Sequence, residues 1–228
     1  MSKSEVKPFP LDADVMSRIR PMQNVDAARV AELHQAAMGN SLWAKLGHRF
    51  LTELYRGLID NPHFLGFVYE EDGVIRGFIA GSTDADTMMG ELFRRRALVL
   101  GGAALPGVLR RPQVLRQLVY TFRYFQVSDQ GQTPVPAESL FCSFDPETRG
   151  KRISGHINKV LFDDLLARGH KAVKITTEVD NEGANRQLQS WGFEDVHRFR
   201  FYGKDMVRYV LELEGHPRIQ AVSRHPAV

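Results

Sequence analysis

Apolar residues recur at helical spacing in the stretch Leu140–Arg168. Ile153, Ile157, Val160, Leu161 and Leu165 fall at i, i+4, i+7, i+8 and i+12, which predicts one apolar helix face. An apolar run, Leu140–Phe144, precedes it and predicts a strand that breaks at Asp145-Pro146. Between them runs a turn rich in Arg, Lys, Gly and Ser, Arg149–Gly155. Strand, small-residue turn and helix together present unpaired N–H groups at the positive end of a helix, a site suited to phosphate. An ordinary strand–turn–helix connection has the same outline.

The same patterning organises the rest of the chain. Residues 1–16 are polar, interrupted by Pro8 and Pro10, and read as a flexible N-terminus. Ser17–Met22 predicts a first strand, limited to an edge or an end by Pro21. Asp26 predicts an N-cap for a helix through Met38, with Val30, Leu33 and Ala37 on one face and Gly39 as its stop. A second helix is predicted over 44–60, ended by Pro62. Phe64–Tyr69 and Val74–Ser82 flank Glu71-Asp72-Gly73 and read as a hairpin. Downstream, Ala172–Thr177 alternates like a strand. Asn181 then caps a helix carrying Ala184, Leu188 and Trp191 that ends at Gly192. Asp195–Phe201 and Met206–Leu213 read as a closing hairpin, and 215–228 as a flexible tail. The expectation is a single α/β (α+β) domain over 17–214, with a mixed, mostly antiparallel sheet.

Residues 84–136 differ in character. Arg94, Arg95, Arg96, Arg110, Arg111, Arg116 and Arg123 stand among Leu, Val, Ala and Phe, punctuated by Gly101-Gly102, Pro106-Gly107 and Pro112. Two or three short helices are predicted, the last over Gln113–Phe125, as an insertion between sheet strands rather than a separate domain. The readings open for it are a solvated excursion, a lid over a substrate site, a homodimer contact, or peripheral contact with an anionic membrane surface.

Composition narrows the function classes. At 228 residues, with 43% hydrophobic and 25% charged residues, the chain is ordinary for a globular protein that buries its own core. Cys142 is its only cysteine, which excludes an intrachain disulfide and a cysteine metal cluster and fits a cytoplasmic setting. The eight histidines show no metal-ligand spacing, so no metal is expected. The start of the chain has no apolar h-region and no run reaches the roughly 18 apolar residues of a membrane span, so neither a secretory signal nor a transmembrane segment is expected. A net charge of +3 suits a nucleotide ligand and is too weak to argue for nucleic acid.

The motifs then carry a resemblance. ETRGKRISGHINKVL, from Glu147, resembles motif A (Q/R-x-x-G-x-G/A) of the GNAT superfamily of acyl-CoA-dependent N-acyltransferases, with Arg149 at the first position and Ile153 at the apolar fifth one. NEGANRQLQSWGFE resembles motif B, with Asn181, Ala184, Gly192 and Phe193 matching in register. The resemblance covers 137–213, and the front third matches in element order only. VHRFRFYGKDMVRYVLEL and the arginine-rich insertion are similar to a bacterial branch often found in surface-polysaccharide loci.

The resemblance implies a splayed central parallel pair, at Leu140 and Val173, with acetyl-CoA as co-substrate in the gap. It implies that Cys142, Ser143 and Phe144 offer backbone hydrogen bonds to the pantetheine arm. Arg149, Gly150, Lys151, Arg152, Ile153, Ser154 and Gly155 would cradle the pyrophosphate. Asn181 would sit near the pantetheine or the outgoing thiol, or be a plain helix N-cap. Lys151 is either a phosphate contact or a solvated charge.

Two departures stand out. Arg152 replaces the preferred Gly, which costs on the order of 1 kcal/mol if φ is positive there. Its side chain then contacts a CoA phosphate or blocks the pocket. Leu188 replaces the Tyr that usually protonates the leaving thiolate; Tyr202 and Ser190 are the other donor types at hand. Glu138 is the candidate general base, because AESLFC resembles the strand that carries the catalytic glutamate of the histone acetyltransferase branch. A regular strand puts Glu138, Leu140, Cys142 and Phe144 on one face, and a solvated Glu138 at a frayed strand start is the other reading. His156 is expected in the first helical turn, away from the apolar stripe. The activity implied is direct acetyl transfer to a primary amine of a small molecule, such as an amino sugar or sugar nucleotide. An impaired GNAT-fold CoA-binding or scaffold protein, and a peptide N-terminal or lysine acetyltransferase, are the alternatives.

Overall fold

The computed structural model describes residue 7 and residues 10–39, 41–114, 135–148, 150–201 and 203–222. Arg149, Tyr202, the distal arginines of the insertion and most of the helix expected over Gln113–Phe125 lie outside the described residues.

Seven strands form one sheet: β1 (Ile19–Pro21), β2 (Phe64–Glu71), β3 (Val74–Ser82), β4 (Glu138–Phe144), β5 (Ala172–Glu178), β6 (Glu194–Phe201) and β7 (Lys204–Glu212), in the order β1-β2-β3-β4-β5-β7-β6. Every neighbouring pair is antiparallel except β4–β5, which is parallel and central. The mixed, mostly antiparallel sheet expected from the sequence is therefore present.

One sheet face is covered by α2 (Ala27–Met38), α3 (Leu42–Lys45), α4 (His48–Ile59) and α5 (Ala85–Arg110). The core there is built on Leu51, Leu54, Tyr55 and Leu58 of α4 against Phe78 and Ala80 of β3. Each such buried leucine contributes about 2 kcal/mol. The other face is covered by α6 (Ile153–Ala167) and α7 (Glu182–Trp191). Ile157, Val160, Leu161 and Leu165 of α6 are fully buried, as the helical spacing predicts.

Four local details differ from the outline read in the sequence or refine it. The helix expected over 44–60 is two helices, α3 and α4, because Gly47 at φ +100° turns the chain between them. The insertion begins, within α5, as two helical segments of the kind expected, but they join at a kink at Arg96 (φ −115°, ψ 18°) and not at a glycine or proline. Arg96 reaches Glu53 of α4 and Asp60 just past its end from that point. Gly107 lies on the backbone of Leu46, where an added Cβ would stand 2.4 Å from the Leu46 carbonyl oxygen, so glycine there serves packing rather than helix termination.

Thirdly, Asp26 stands at the N-cap position of α2, as expected, but its side chain makes no cap hydrogen bond to that helix. Its carboxylate accepts from the Gln23 N–H at 2.8 Å and from both Arg20 terminal nitrogens, tying β1 to the helix entry. Finally, some described residues within the two segments expected to be loose are packed. Residues Ala13–Ser17 form α1, capped by Asp12, with Val15 buried. Past Gly215, the Arg218 carbonyl accepts from Lys159 Nζ (2.8 Å), the Gln220 N–H donates to Asp163, and Ile219 is buried. Lys159 and Asp163 are themselves a buried pair on α6, so the tail completes the hydrogen bonding that such burial demands.

Candidate active site

The site follows from how β4 and β5 are each held. β4 is laddered to β3 along its length, from Ser82↔Glu138 to Gly77↔Phe144. β5 is laddered to β7 from Ala172↔Glu212 to Glu178↔Met206. Yet β4 and β5 meet at only two rungs, Glu138↔Lys174 and Ser139↔Ile175. Beyond them the two half-sheets part. The gap holds a cavity of about 350 Å³ walled by Leu140, Phe141 and Cys142 on one strand, Thr176 on the other, Leu188 of α7 and Asn181 just before that helix. Backbone edges that lack a strand partner suit an extended amide-bearing ligand.

A bulge sets which side chains face which side. The β3–β4 register slips between Ala80↔Phe141 and Gly81↔Ser139, leaving Leu140 as the extra residue. Leu140 and Phe141 therefore both pack toward α2 and α4, whereas Cys142 and Phe144 pack toward α6. The shared face expected for Glu138, Leu140, Cys142 and Phe144 is broken for that reason. Glu138 and Leu140 instead line a second cavity of about 230 Å³, with Lys174, Trp43, Phe199 and Arg208. Leu140, Phe141 and Thr176 line both cavities, so the two meet at the bulge. Glu138 is not at a frayed strand end: its carboxylate stands 3.7 Å from Lys174 Nζ.

The turn before α6 is anchored at Asp145. Its N–H donates to the Arg76 carbonyl (2.6 Å), and its carboxylate accepts from Arg29 (2.9 Å) and Arg76 (3.4 Å). Gly150 has φ +85°, and Arg152, at φ +54° and ψ 20°, leads directly into α6. The positive φ is the condition under which replacing glycine costs about 1 kcal/mol. No side chain caps α6; the Gly155 N–H donates to the Arg152 carbonyl (3.1 Å), and the Ile153 and Ser154 N–H groups precede the first helical hydrogen bond, as an anion site requires. Ile153 and Gly155 are buried beneath that turn, Ser154 is half-buried and the Arg152 side chain is exposed. Lys151 is turned the other way: its Nζ donates to both Glu71 oxygens at 2.9 Å and holds that carboxyl below its usual range.

Other candidates sort plainly. Asn181 caps α7, its side-chain oxygen accepting from the Ala184 N–H (3.2 Å), and it also lines the gap. Ser143 is buried and its hydroxyl donates to the Leu33 carbonyl, leaving only its backbone for a ligand. Burial pushes the Cys142 thiol up to about 12, which makes it a poor nucleophile. Ser190 is exposed and donates within its own helix, away from the gap. His156 is buried rather than exposed. Its Nε2 accepts from the Asp12 N–H and its Nδ1 meets the Arg152 carbonyl (both 2.9 Å), so it braces the turn. Sequence reasoning missed Lys174, whose lone charge in an alternating strand carried no motif signal, and the aromatic wall of Trp43 and Phe199. No group of His, Cys, Asp or Glu among the described residues is arranged to hold a metal.

No family model matches the chain. A stretch of 73 residues is 32% identical to the mycothiol acetyltransferase of Brachybacterium faecium, covering 32% of this chain and 22% of that relative. The chain thus matches about a fifth of the length of the curated relative. Among solved structures, an N-acetyltransferase from Staphylococcus aureus Mu50 superposes with TM-score 0.55 at 16% identity, over 86% of this chain and 98% of that one. A putative acetyltransferase of the GNAT family from Desulfovibrio desulfuricans gives 0.55 at 11% identity, over 86% and 98%. YncA, a putative acetyltransferase from Salmonella typhimurium solved with acetyl-CoA, gives 0.52 at 16% identity, over 87% and 94%. The fold is that of the GNAT superfamily of acetyltransferases.

Proposed function

We propose that the protein is an N-acetyltransferase that moves an acetyl group from acetyl-CoA to a primary amine of a small molecule by direct attack. The observation that carries this reading is the parting of β4 and β5 after two rungs, which opens a gap also lined by Asn158 of α6. The residues present fit acetyl-CoA. An edge without a strand partner suits the pantetheine amides, and first-turn N–H groups with the exposed Arg152 suit the pyrophosphate. The co-substrate supplies an activated acyl thioester.

Within that frame the chain's own groups have defined tasks. Glu138 takes a proton from the acceptor ammonium, since the amine must be neutral to attack. Lys174 holds the Glu138 carboxylate at the wall of the second cavity. Backbone N–H groups at the bulge polarise the thioester carbonyl. Leu188 excludes water from the gap and donates no proton. A thiol of ordinary pKa near 8.5 needs little help in leaving near neutral pH, so solvent suffices as the acid. The aromatic wall of Trp43, Phe141, Phe199 and Phe201 suits a sugar ring, which favours an amino sugar acceptor over a peptide. A single cysteine fits a cytoplasmic enzyme. No helix among the described residues is long and apolar enough to cross a membrane.

The test is thermal unfolding with acetyl-CoA and CoA, followed by thiol release with panels of amino sugars and peptides. A rise in melting temperature with acetyl-CoA, and thiol release dependent on an amino sugar, are expected. No rise with any acyl-CoA would overturn the reading.

A further inference from the structure

A third cavity, of about 510 Å³, lies between α3, the start of α4 and the second half of α5. Lys45, His48, Arg49, Arg110 and Arg111 line it, and among the described residues no Asp or Glu does. Lys45, Arg49, Arg110 and Arg111 form no ion pair among the described residues, while Arg96 on the same helix α5 is paired twice. The start of α4 opens into the same space, led by Gly47 with no side-chain cap. Gathering like charges around one concavity is unfavourable without an anion between them, and guanidinium groups match phosphate oxygens in geometry.

The position of this cavity connects it to the acceptor. Trp43 and Lys45 sit two residues apart on α3; Trp43 lines the cavity of Glu138 and Lys45 lines the basic one. The two spaces are thus separated by about one helix diameter, ~10 Å. Likewise Met38 at the end of α2 lines the gap between β4 and β5, while Gly39 lines the basic cavity.

We infer that the basic cavity is the phosphate subsite of the acceptor, so that the acetylated amine belongs to a molecule that also carries a phosphate or diphosphate. The identity of the acceptor rests on the acyl-transfer reading above; the phosphate site itself does not. The outer face of α5 exposes Leu98, Leu105 and Leu109. A phosphate borne by a lipid and one borne by a soluble molecule are therefore both admitted, and the experiment separates them.

The test measures inorganic pyrophosphate binding by calorimetry for the wild type and for Arg49→Gln/Arg110→Gln, each with saturating CoA and without it. Vesicles of phosphatidylcholine with and without phosphatidylglycerol form a second arm, read by co-sedimentation. The double substitution is expected to weaken pyrophosphate about tenfold or more while leaving the CoA-induced thermal shift unchanged. Soluble pyrophosphate bound without vesicle binding assigns a soluble acceptor; binding to phosphatidylglycerol vesicles that the substitutions abolish assigns a lipid-borne one. Equal pyrophosphate and vesicle binding by wild type and variant overturns the inference. If CoA produces no shift in either protein but pyrophosphate still distinguishes them, the phosphate site stands and the acetyl-CoA reading falls.

Discussion

Glu138 and Lys174 face each other across the first of the two rungs that join β4 to β5, Oε2 to Nζ at 3.7 Å, with their side chains 18% and 8% exposed. The pair sits just before the strands part and lines the cavity proposed for the acceptor. Glu138→Gln keeps the shape of the residue and removes its basicity. It is expected to lower kcat/KM by about 10²-fold at neutral pH, with acetyl-CoA affinity unchanged. Steady-state thiol release across pH 6–9 checks this, and unaltered rates throughout would show that another group is the base.

Arg152 tests the cost of the departure from glycine. Its φ of +54° is a conformation that any L side chain pays to adopt. Arg152→Gly is therefore expected to be more stable than Arg152→Ala by about 1 kcal/mol, a reversal of the usual order inside a helix. Urea denaturation of the two variants measures the difference. Equal stabilities would mean that the turn relaxes to negative φ.

Two glycines of α5 should respond oppositely to alanine. At Gly107 the new Cβ would meet the Leu46 backbone at 2.4 Å, and at Gly101 it would meet nothing within 4 Å. Gly107→Ala is expected to destabilise by roughly 1–3 kcal/mol through overpacking. Gly101→Ala should stabilise by up to about 1 kcal/mol through helix propensity. Thermal unfolding of both variants decides whether α5 docks as described.

His34 gives the fold a pH dependence. It is fully buried behind Phe141, its Nδ1 2.7 Å from the Tyr55 hydroxyl, and burial lowers its pKa from 6.5 to about 4. The unfolded chain binds this proton more readily than the folded one. The stabilising contribution is therefore complete above pH 6.5 and is lost as the pH falls towards 4. Burial shifts His170 and His216 in the same direction. Between pH 7 and pH 5 the His34 share is about 2 kcal/mol. Urea denaturation at both pH values should show a smaller loss in His34→Gln than in the wild type.

Sequence pattern carried the parts of this structure that repeat. The faces of α6 and α7, both hairpins and the strand before Asp145-Pro146 were legible because burial on one side imposes a period. The parting of β4 and β5 was visible only through motif resemblance, since nothing in Leu140–Phe144 marks an edge without a partner. The bulge at Leu140 has no glycine or proline to announce it, and its one extra residue moved Cys142 away from Glu138's face. Gly107 was read as a helix breaker because glycine signals backbone freedom and close packing alike. The basic cavity draws on α3, α4 and α5, so its charges converge only once α5 crosses Leu46.

The central claim, that acetyl-CoA occupies the gap between β4 and β5, is tested most directly by hydrogen–deuterium exchange with and without acetyl-CoA. Slower exchange is expected in peptides covering Leu140–Phe144, Gly150–Gly155 and Asn181–Ala184, with the β6–β7 hairpin unchanged. Unchanged exchange in Leu140–Phe144 under conditions where acetyl-CoA demonstrably binds would contradict the account.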